Sequence, residues 1–157
     1  MNHDLVDKIS ELLKTYQPSQ TTVQLVQDTP IVLLVGVSGA GKDTIKHKLV
    51  ETGYYHEFIS HTTRPPRSNH GVMEQDGVEY HFISLEDAKR MIEAGEFVEA
   101  KMYGGKVYGT SVAEVQKAHD GGKIALNDIE VQGVAEYRKI SPNVKAMFIV
   151  PPTYEEW

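Results

Sequence analysis

The sequence of 157 residues contains no cysteine. Disulfides and thiolate metal sites are thereby excluded, and a cytoplasmic address, where disulfides are rare, fits the composition. Long hydrophobic runs are missing as well. None approaches the roughly 18 residues that a membrane span needs, and Met1-Asn2-His3-Asp4 lacks the basic-then-apolar layout of a signal peptide. Positive charge is scarce: 16 Lys and Arg stand against 22 Asp and Glu, for a net charge of −6. That balance argues against nonspecific nucleic-acid binding, which relies on a positive surface. It points instead to a small anion held in a local basic pocket. Internal repeats and low-complexity tracts are absent too. What is present, 40% hydrophobic and 24% charged residues, is the make-up of a soluble globular chain. The length suits one real core and is short for two ordinary domains. The seven histidines form no helical HxxxH pair and no cluster at zinc spacing, so no metal is assigned to them.

The most informative stretch is Gly36-Val37-Ser38-Gly39-Ala40-Gly41-Lys42-Asp43-Thr44. It follows the apolar strand Ile31–Val35 and opens a helix expected over Gly41–Thr52. A strand feeding GxxxxGK and then a helix is the context that makes a phosphate-binding loop. Glycines let consecutive N–H groups turn inward, the helix N-terminus adds positive potential, and Lys42 supplies a full charge at the β- and γ-phosphates of a nucleotide. One position departs from the pattern. The hydroxyl residue that normally follows the lysine and binds Mg²⁺ is replaced by Asp43, with Thr44 next. A carboxylate oxygen still suits a hard cation.

Around this loop the chain alternates. Lys123–Asp128 reads as a buried strand, Val131–Lys139 as a helix, and Ala146–Val150 as a third strand closed by Pro151-Pro152. Strands alternating with helices predict an α/β core with a parallel sheet and right-handed crossovers. At the N-terminus, Leu5, Val6, Ile9, Leu12, Leu13 and Tyr16 lie at helical spacing until Pro18, and a polar stretch then runs to Asp28. The plain expectation for this helix is packing on the core; the sharper one is a homodimer contact. Residues 58–108 have another texture, with short β-like runs at Phe58–Ser60, Glu79–Ile83 and Glu96–Glu99, and one helix from Leu85 to about Ala94. This is an α+β insert and not a further strand–helix–strand repeat. The predicted organisation is therefore an N-terminal extension at 1–29, a core at 30–57 and 109–157, and an insert at 58–108.

The insert contains Ser60-His61-Thr62-Thr63-Arg64-Pro65-Pro66-Arg67. Two arginines three apart, with rigid prolines between, make a fork suited to a terminal phosphate. Tyr80, Glu99, Tyr108 and Thr110 follow. Together with Gly36–Lys42, Gly77–Phe82, Gly95–Glu99, Asp128–Gly133 and Phe148–Pro152, in this order and almost continuously over residues 30–157, these motifs make the sequence resemble guanylate kinase. The resemblance implies a P-loop three-layer core with an inserted GMP-binding domain, and transfer of a phosphoryl group from ATP to GMP with Mg²⁺.

Carried over position by position, the resemblance places Arg64, Arg67, Tyr80 and Tyr108 at the phosphate of GMP and Ser60, Glu99, Thr110 and Asp128 at guanine. The chemistry agrees: a carboxylate such as Glu99 accepts from both N1–H and N2–H of guanine, whereas adenine presents an acceptor at N1. Lys42 and Arg64 are the expected catalytic residues, and Gly36–Thr44 the expected ATP loop. Asp43, Thr44, Asp128 and Glu130 are expected to manage Mg²⁺. The twelve residues Ser68–Glu79 form a loop longer than the family usually has, which closure entropy tolerates.

Two other readings fit parts of the pattern. Ribose-bisphosphate phosphokinases resemble guanylate kinases and also carry Asp after the P-loop lysine, although a sugar-phosphate acceptor has no need of Ser60, Glu99 and Thr110. Guanylate-kinase-like interaction modules have typically degraded the loop that is intact here. The resemblance also implies an arginine-rich lid and closing core elements after Pro152, which have no counterpart in the sequence. The chain is then either a fragment of a longer product or a lidless homologue, and Tyr154–Trp157, which reads as a helix start cut short, favours the C-terminally incomplete one. Without a lid the chain should retain GMP affinity best, bind ATP weakly and transfer phosphate poorly or not at all.

Overall fold

The computed structural model describes residues 3–152. Two helices open the chain, α1 (His3–Lys14) and α2 (Gln20–Asp28), followed by β1 (Ile31–Val35), α3 (Lys42–Glu51) and β2 (Tyr55–Glu57). The middle carries β3 (His61–Thr62), β4 (Ser68–Asn69), β5 (Val72–Met73), β6 (His81–Phe82), α4 (Leu85–Glu93), β7 (Phe97–Tyr103) and β8 (Lys106–Ser111). Then come α5 (Val112–Asp120), β9 (Ile124–Asp128), α6 (Val131–Ile140) and β10 (Lys145–Phe148). The residues divide into two compact units. One holds the segment ending at Val23 together with Ile59–Glu114; the other holds Gln24–Phe58 and the chain from Val115 on.

The second unit is built on a parallel sheet of order β10-β1-β9-β2. Strands β1 and β9 read as near-continuous apolar runs because a central parallel strand is covered on both faces. Ile31, Leu33, Leu34, Ala125 and Leu126 are all buried. Register pairs Leu34 with Asp128, so the carboxyl ends of β1 and β9 lie side by side. In open α/β sheets that end is where ligands bind. The fourth strand, β2, has only three polar-to-aromatic residues and was not legible from periodicity. The expected run Phe58–Ser60 is not a strand; β2 and β3 flank it instead. The last strand ends at Phe148 and not at Val150, although Ile149 N–H still donates to the Val35 carbonyl at 2.7 Å. The helix start expected at Tyr154–Trp157 lies outside the described residues.

The first unit has a mixed sheet of order β6-β3-β8-β7, in which β3 and β6 are parallel and the other pairs antiparallel. Its core joins Ile9 of α1 to Ala88, Met91 and Ile92 of α4, with Phe97 and Val107 from the sheet. The N-terminal helix is thus packed against the elements of residues 85–107. The hydroxyl of Tyr16 donates to the Phe97 carbonyl at 2.6 Å and accepts from the Phe97 N–H at 2.9 Å. Helix α4 starts at Ser84, whose hydroxyl oxygen accepts from the Asp87 N–H, satisfying one of the orphan donors of the first turn. Strands β4 and β5 form a short antiparallel hairpin of their own. The polar stretch after Pro18 proves to be helix α2, capped by Ser19, whose hydroxyl accepts from the Thr22 N–H at 3.1 Å.

Candidate functional site

In the second unit, the loop between β1 and α3 has the backbone the glycines permit. Gly39 and Gly41 take φ of 80° and 95°, which β-carbon-bearing residues rarely adopt. Gly41 is the N-cap of α3. The loop is tied by Ala40 N–H donating to Val37 O at 3.1 Å and by Ile45 N–H donating to Gly41 O at 3.1 Å. The Lys42 ammonium lies across the loop and donates to the carbonyls of Gly36 and Val37. Val37, Ser38 and Gly39 are exposed, as are Asp43 and Thr44. A lysine held over exposed loop amides at a helix start is an arrangement that suits a polyanion.

Beside the loop sits a cation that the sequence pattern alone did not single out. Lys46, one turn after Asp43, is only 11% exposed and converges on three carboxylates: Glu57 at 2.9 Å, Asp43 at 3.4 Å and Asp128 at 3.5 Å. Burial pulls its pKa down, but the hydrogen bond to Glu57 and the charges of Asp128, Glu57 and Asp43 more than offset this and hold it above the usual lysine value. The i,i+3 spacing of Asp43 and Lys46 on a helix was the available signal. Among the described residues no three His, Asp or Glu side chains form a group fit to hold a metal alone. Mg²⁺, however, is commonly held by one or two carboxylates together with substrate phosphates. Asp43 and Asp128 fit that shared mode. Glu130 is exposed at the N-cap of α6.

In the first unit, the structure brings together Arg64, Tyr80 and Tyr108. The Arg64 guanidinium carbon lies 5.2 Å from the Tyr80 ring centroid and 5.8 Å from that of Phe82, and the Tyr80 and Tyr108 rings are 6.3 Å apart. Arg64 is 7% exposed. It makes a bidentate ion pair with Glu74, Nη1 to Oε2 at 2.8 Å and Nη2 to Oε1 at 2.9 Å. Glu74 Oε2 also accepts from the Arg67 backbone N–H at 2.7 Å. This pairing raises the Arg64 pKa and holds the Glu74 carboxyl below its ordinary value. Glu74 was not among the expected site residues; a carboxylate in the loop directly after two arginines was the only hint.

Glu99 and Thr110 face each other across β7 and β8, just after a bulge between Phe97 and Glu99, and the Thr110 hydroxyl donates to Glu99 Oε1 at 3.0 Å. Thr110 is fully buried. Tyr108 and Thr110, two apart on β8, share one face of the sheet. Ser60 precedes β3 and its carbonyl accepts from the His81 N–H. The Arg67 side chain is exposed, and Asp128 ends β9 in the other unit.

A family model described as guanylate kinase matches residues 27–157. A guanylate kinase of Frankia casuarinae is 39% identical over 132 residues, covering 80% of this chain and 67% of that protein. One of Schizosaccharomyces pombe is 35% identical, covering 80% and 61%, and guanylate kinase 1 of Oryza sativa is 40% identical, covering 80% and 32%. The chain therefore spans between about a third and two thirds of the length of these relatives. A crystal structure of guanylate kinase from Anaplasma phagocytophilum superimposes with a TM-score of 0.60 at 28% identity, covering 82% of this chain and 63% of that one.

Proposed function

The chain belongs to the guanylate kinase family, and from that premise we propose that it takes part in phosphoryl transfer from ATP to GMP, yielding ADP and GDP. The observation that carries this reading is the Glu99–Thr110 pair. A half-buried carboxylate, steadied by a fully buried hydroxyl, lies on the same small sheet as the Arg64–Tyr80–Tyr108 cluster. A carboxylate that accepts from two neighbouring N–H groups suits guanine and disfavours adenine, and an arginine lying over the Tyr80 ring, with Tyr108 beside that ring, suits the 5′-phosphate.

On this reading the residues divide the work. Arg64 and Arg67 with Tyr80 and Tyr108 hold the acceptor phosphate and offset its charge. Glu99, Thr110 and Ser60 select the base. Gly36–Thr44 cradle the donor phosphates, and Lys42 supplies charge at the β- and γ-positions. Mg²⁺ bound with ATP would spread the charge of the phosphates, with Asp43, Thr44, Asp128 and Glu130 placed to hold it directly or through water. Catalysis then consists of positioning and charge stabilisation, because phosphoryl transfer asks little covalent chemistry of the protein.

Titration calorimetry with GMP, AMP and ribose 1,5-bisphosphate tests the reading directly. GMP should bind at least tenfold tighter than AMP, an order-of-magnitude expectation for a site whose buried polar groups are left unpaired by the wrong base. Glu99→Gln should erase most of that preference. Tighter binding of ribose 1,5-bisphosphate than of GMP would overturn the guanine assignment in favour of a sugar-phosphate kinase.

A further inference from the structure

A guanidinium carries two forks, one formed by Nη1 and Nη2 and one by Nε and Nη2, and each can take a planar anion bidentately. In Arg64 the first is already used. Glu74 accepts from both Nη atoms, and the Pro65 carbonyl accepts from Nη1 at 2.9 Å. The Nε–H and one Nη2–H have no hydrogen-bond partner among the described residues. Glu74 is itself fixed, since its Oε2 accepts from the Arg67 N–H, and its own N–H donates to the Arg67 carbonyl at 2.9 Å. The carboxylate therefore stands at the base of the β4–β5 hairpin, locked to the backbone of one arginine and to the side chain of the other.

We propose that Glu74 is a positioning residue that pins Arg64 by its outer fork so that the Nε–Nη2 fork is the edge presented to a phosphate. This rests on the proposed assignment of Arg64 to the acceptor phosphate of GMP. The competing possibility is that Glu74 stands in for the phosphate and must be displaced by it. The two differ in sign. Glu74 cancels the charge of Arg64, so if charge alone mattered, Glu74→Gln would strengthen phosphate binding. If Glu74 acts by orientation, the same change weakens it, because an amide nitrogen cannot accept from the second Nη atom.

The test measures GMP and guanosine affinity by calorimetry for the chain and for its Glu74→Gln and Glu74→Asp variants. It is joined to side-chain ¹⁵N NMR of Arg64, which reports rotation about the Nε–Cζ bond without any ligand. Expected are separate, slowly exchanging Nη signals in the unsubstituted chain that merge in Glu74→Gln. GMP should bind about 10–100-fold more weakly to Glu74→Gln, the range seen when groups that orient a ligand-holding side chain are removed, while guanosine affinity stays within twofold. Glu74→Asp, which keeps the charge but draws the carboxylate back, should also weaken GMP without affecting guanosine. Equal or tighter GMP binding by Glu74→Gln overturns the proposal, as does a freely rotating Arg64 in the unsubstituted chain. Parallel loss of GMP and guanosine would mean a structural role only and also overturns it. If the unsubstituted chain binds neither ligand, the functional reading itself fails, a result distinct from all of these.

Discussion

Two lysines four residues apart, Lys42 and Lys46, have opposite company, and this separates their roles at the residue scale. Among the described residues Lys42 donates only to the carbonyls of its own loop, whereas Lys46 is enclosed by Glu57, Asp43 and Asp128. The first has charge available to an incoming polyanion; the second is neutralised in place. Lys42→Ala is therefore expected to abolish phosphoryl transfer, assayed by coupled detection of ADP, while leaving GMP affinity within about twofold, as for an interaction confined to the donor. Arg64→Ala should lower both GMP affinity and turnover. Equal loss of GMP affinity in the two variants would contradict the division. Tyr16 gives a prediction about stability. Burial pushes its hydroxyl up to about 12 from 10.0, with Glu96 and Glu99 adding to the rise and the hydrogen bond to Phe97 opposing it. Because the folded value is the higher one, the contribution of Tyr16 is fully present below pH 10 and fades as pH rises through about 12. Tyr16→Phe removes both bonds to Phe97 and should cost about 1–3 kcal/mol in urea denaturation at neutral pH. The gap between the two proteins should close at high pH.

At the scale of elements, the join between α4 and β7 is the most exposed to substitution. Gly95 sits there at φ 68°, and an added Cβ would lie 2.5 Å from the Ser19 backbone nitrogen. Its carbonyl also accepts from the Ser19 N–H and from the Thr22 hydroxyl, both at 2.9 Å. Gly95→Ala combines a left-handed backbone penalty of about 1–2 kcal/mol with a backbone clash that must separate α2 from the turn. Chemical denaturation should show a loss above ~2 kcal/mol; a loss under ~1 kcal/mol would mean that the turn adjusts freely. The same region shows how far elements were legible in the sequence. Strand β1, α4, β9 and α6 stood out because apolar runs or helical spacing are bounded there by Gly, Ser or Pro. Helix α2 did not, since Gln, Thr and Asp dominate it and only Val26 is wholly apolar and buried. Strand β8 is broken in composition by Gly109 and by polar Thr110 and Ser111, yet all three are buried. Burial of small polar residues against a neighbouring strand leaves no hydrophobic signature. The loop Gly36–Thr44 stood out in the sequence because a phosphate-binding role needs particular residue types in order, and Gly39 and Gly41 take the positive φ that such a loop requires. The partners of that chemistry, Lys46 with Glu57 and Arg64 with Glu74, were not: they are joined by folding and not by spacing.

At the scale of the whole molecule, a chain of net charge −6 is proposed to hold two anionic nucleotides, so attraction must be local. Arg64 and Arg67 belong to one unit and Lys42 to the other. GMP is therefore expected to slow hydrogen exchange at β3, β7 and β8, and ATP with Mg²⁺ at β1 and the start of α3. Each ligand at 100 times its dissociation constant should add about 2.7 kcal/mol to the stability of the state that binds it. Protection of β1 by GMP with none at β8 would refute the assignment of ligands to units.

The β4–β5 hairpin has a use beyond the native chemistry. It is exposed along its length, with Val72 at 67% and Met73 at 57% accessibility and its turn at His70–Gly71, while its base is closed by the backbone bond from Glu74 to Arg67. Residues 69–72 are therefore expected to accept foreign sequence, at an entropic cost that grows only with the logarithm of length. Because the hairpin base is tied through Glu74 to Arg64, an environment-sensitive dye carried at this turn is expected to report occupancy of the proposed phosphate site as a change in emission on addition of GMP.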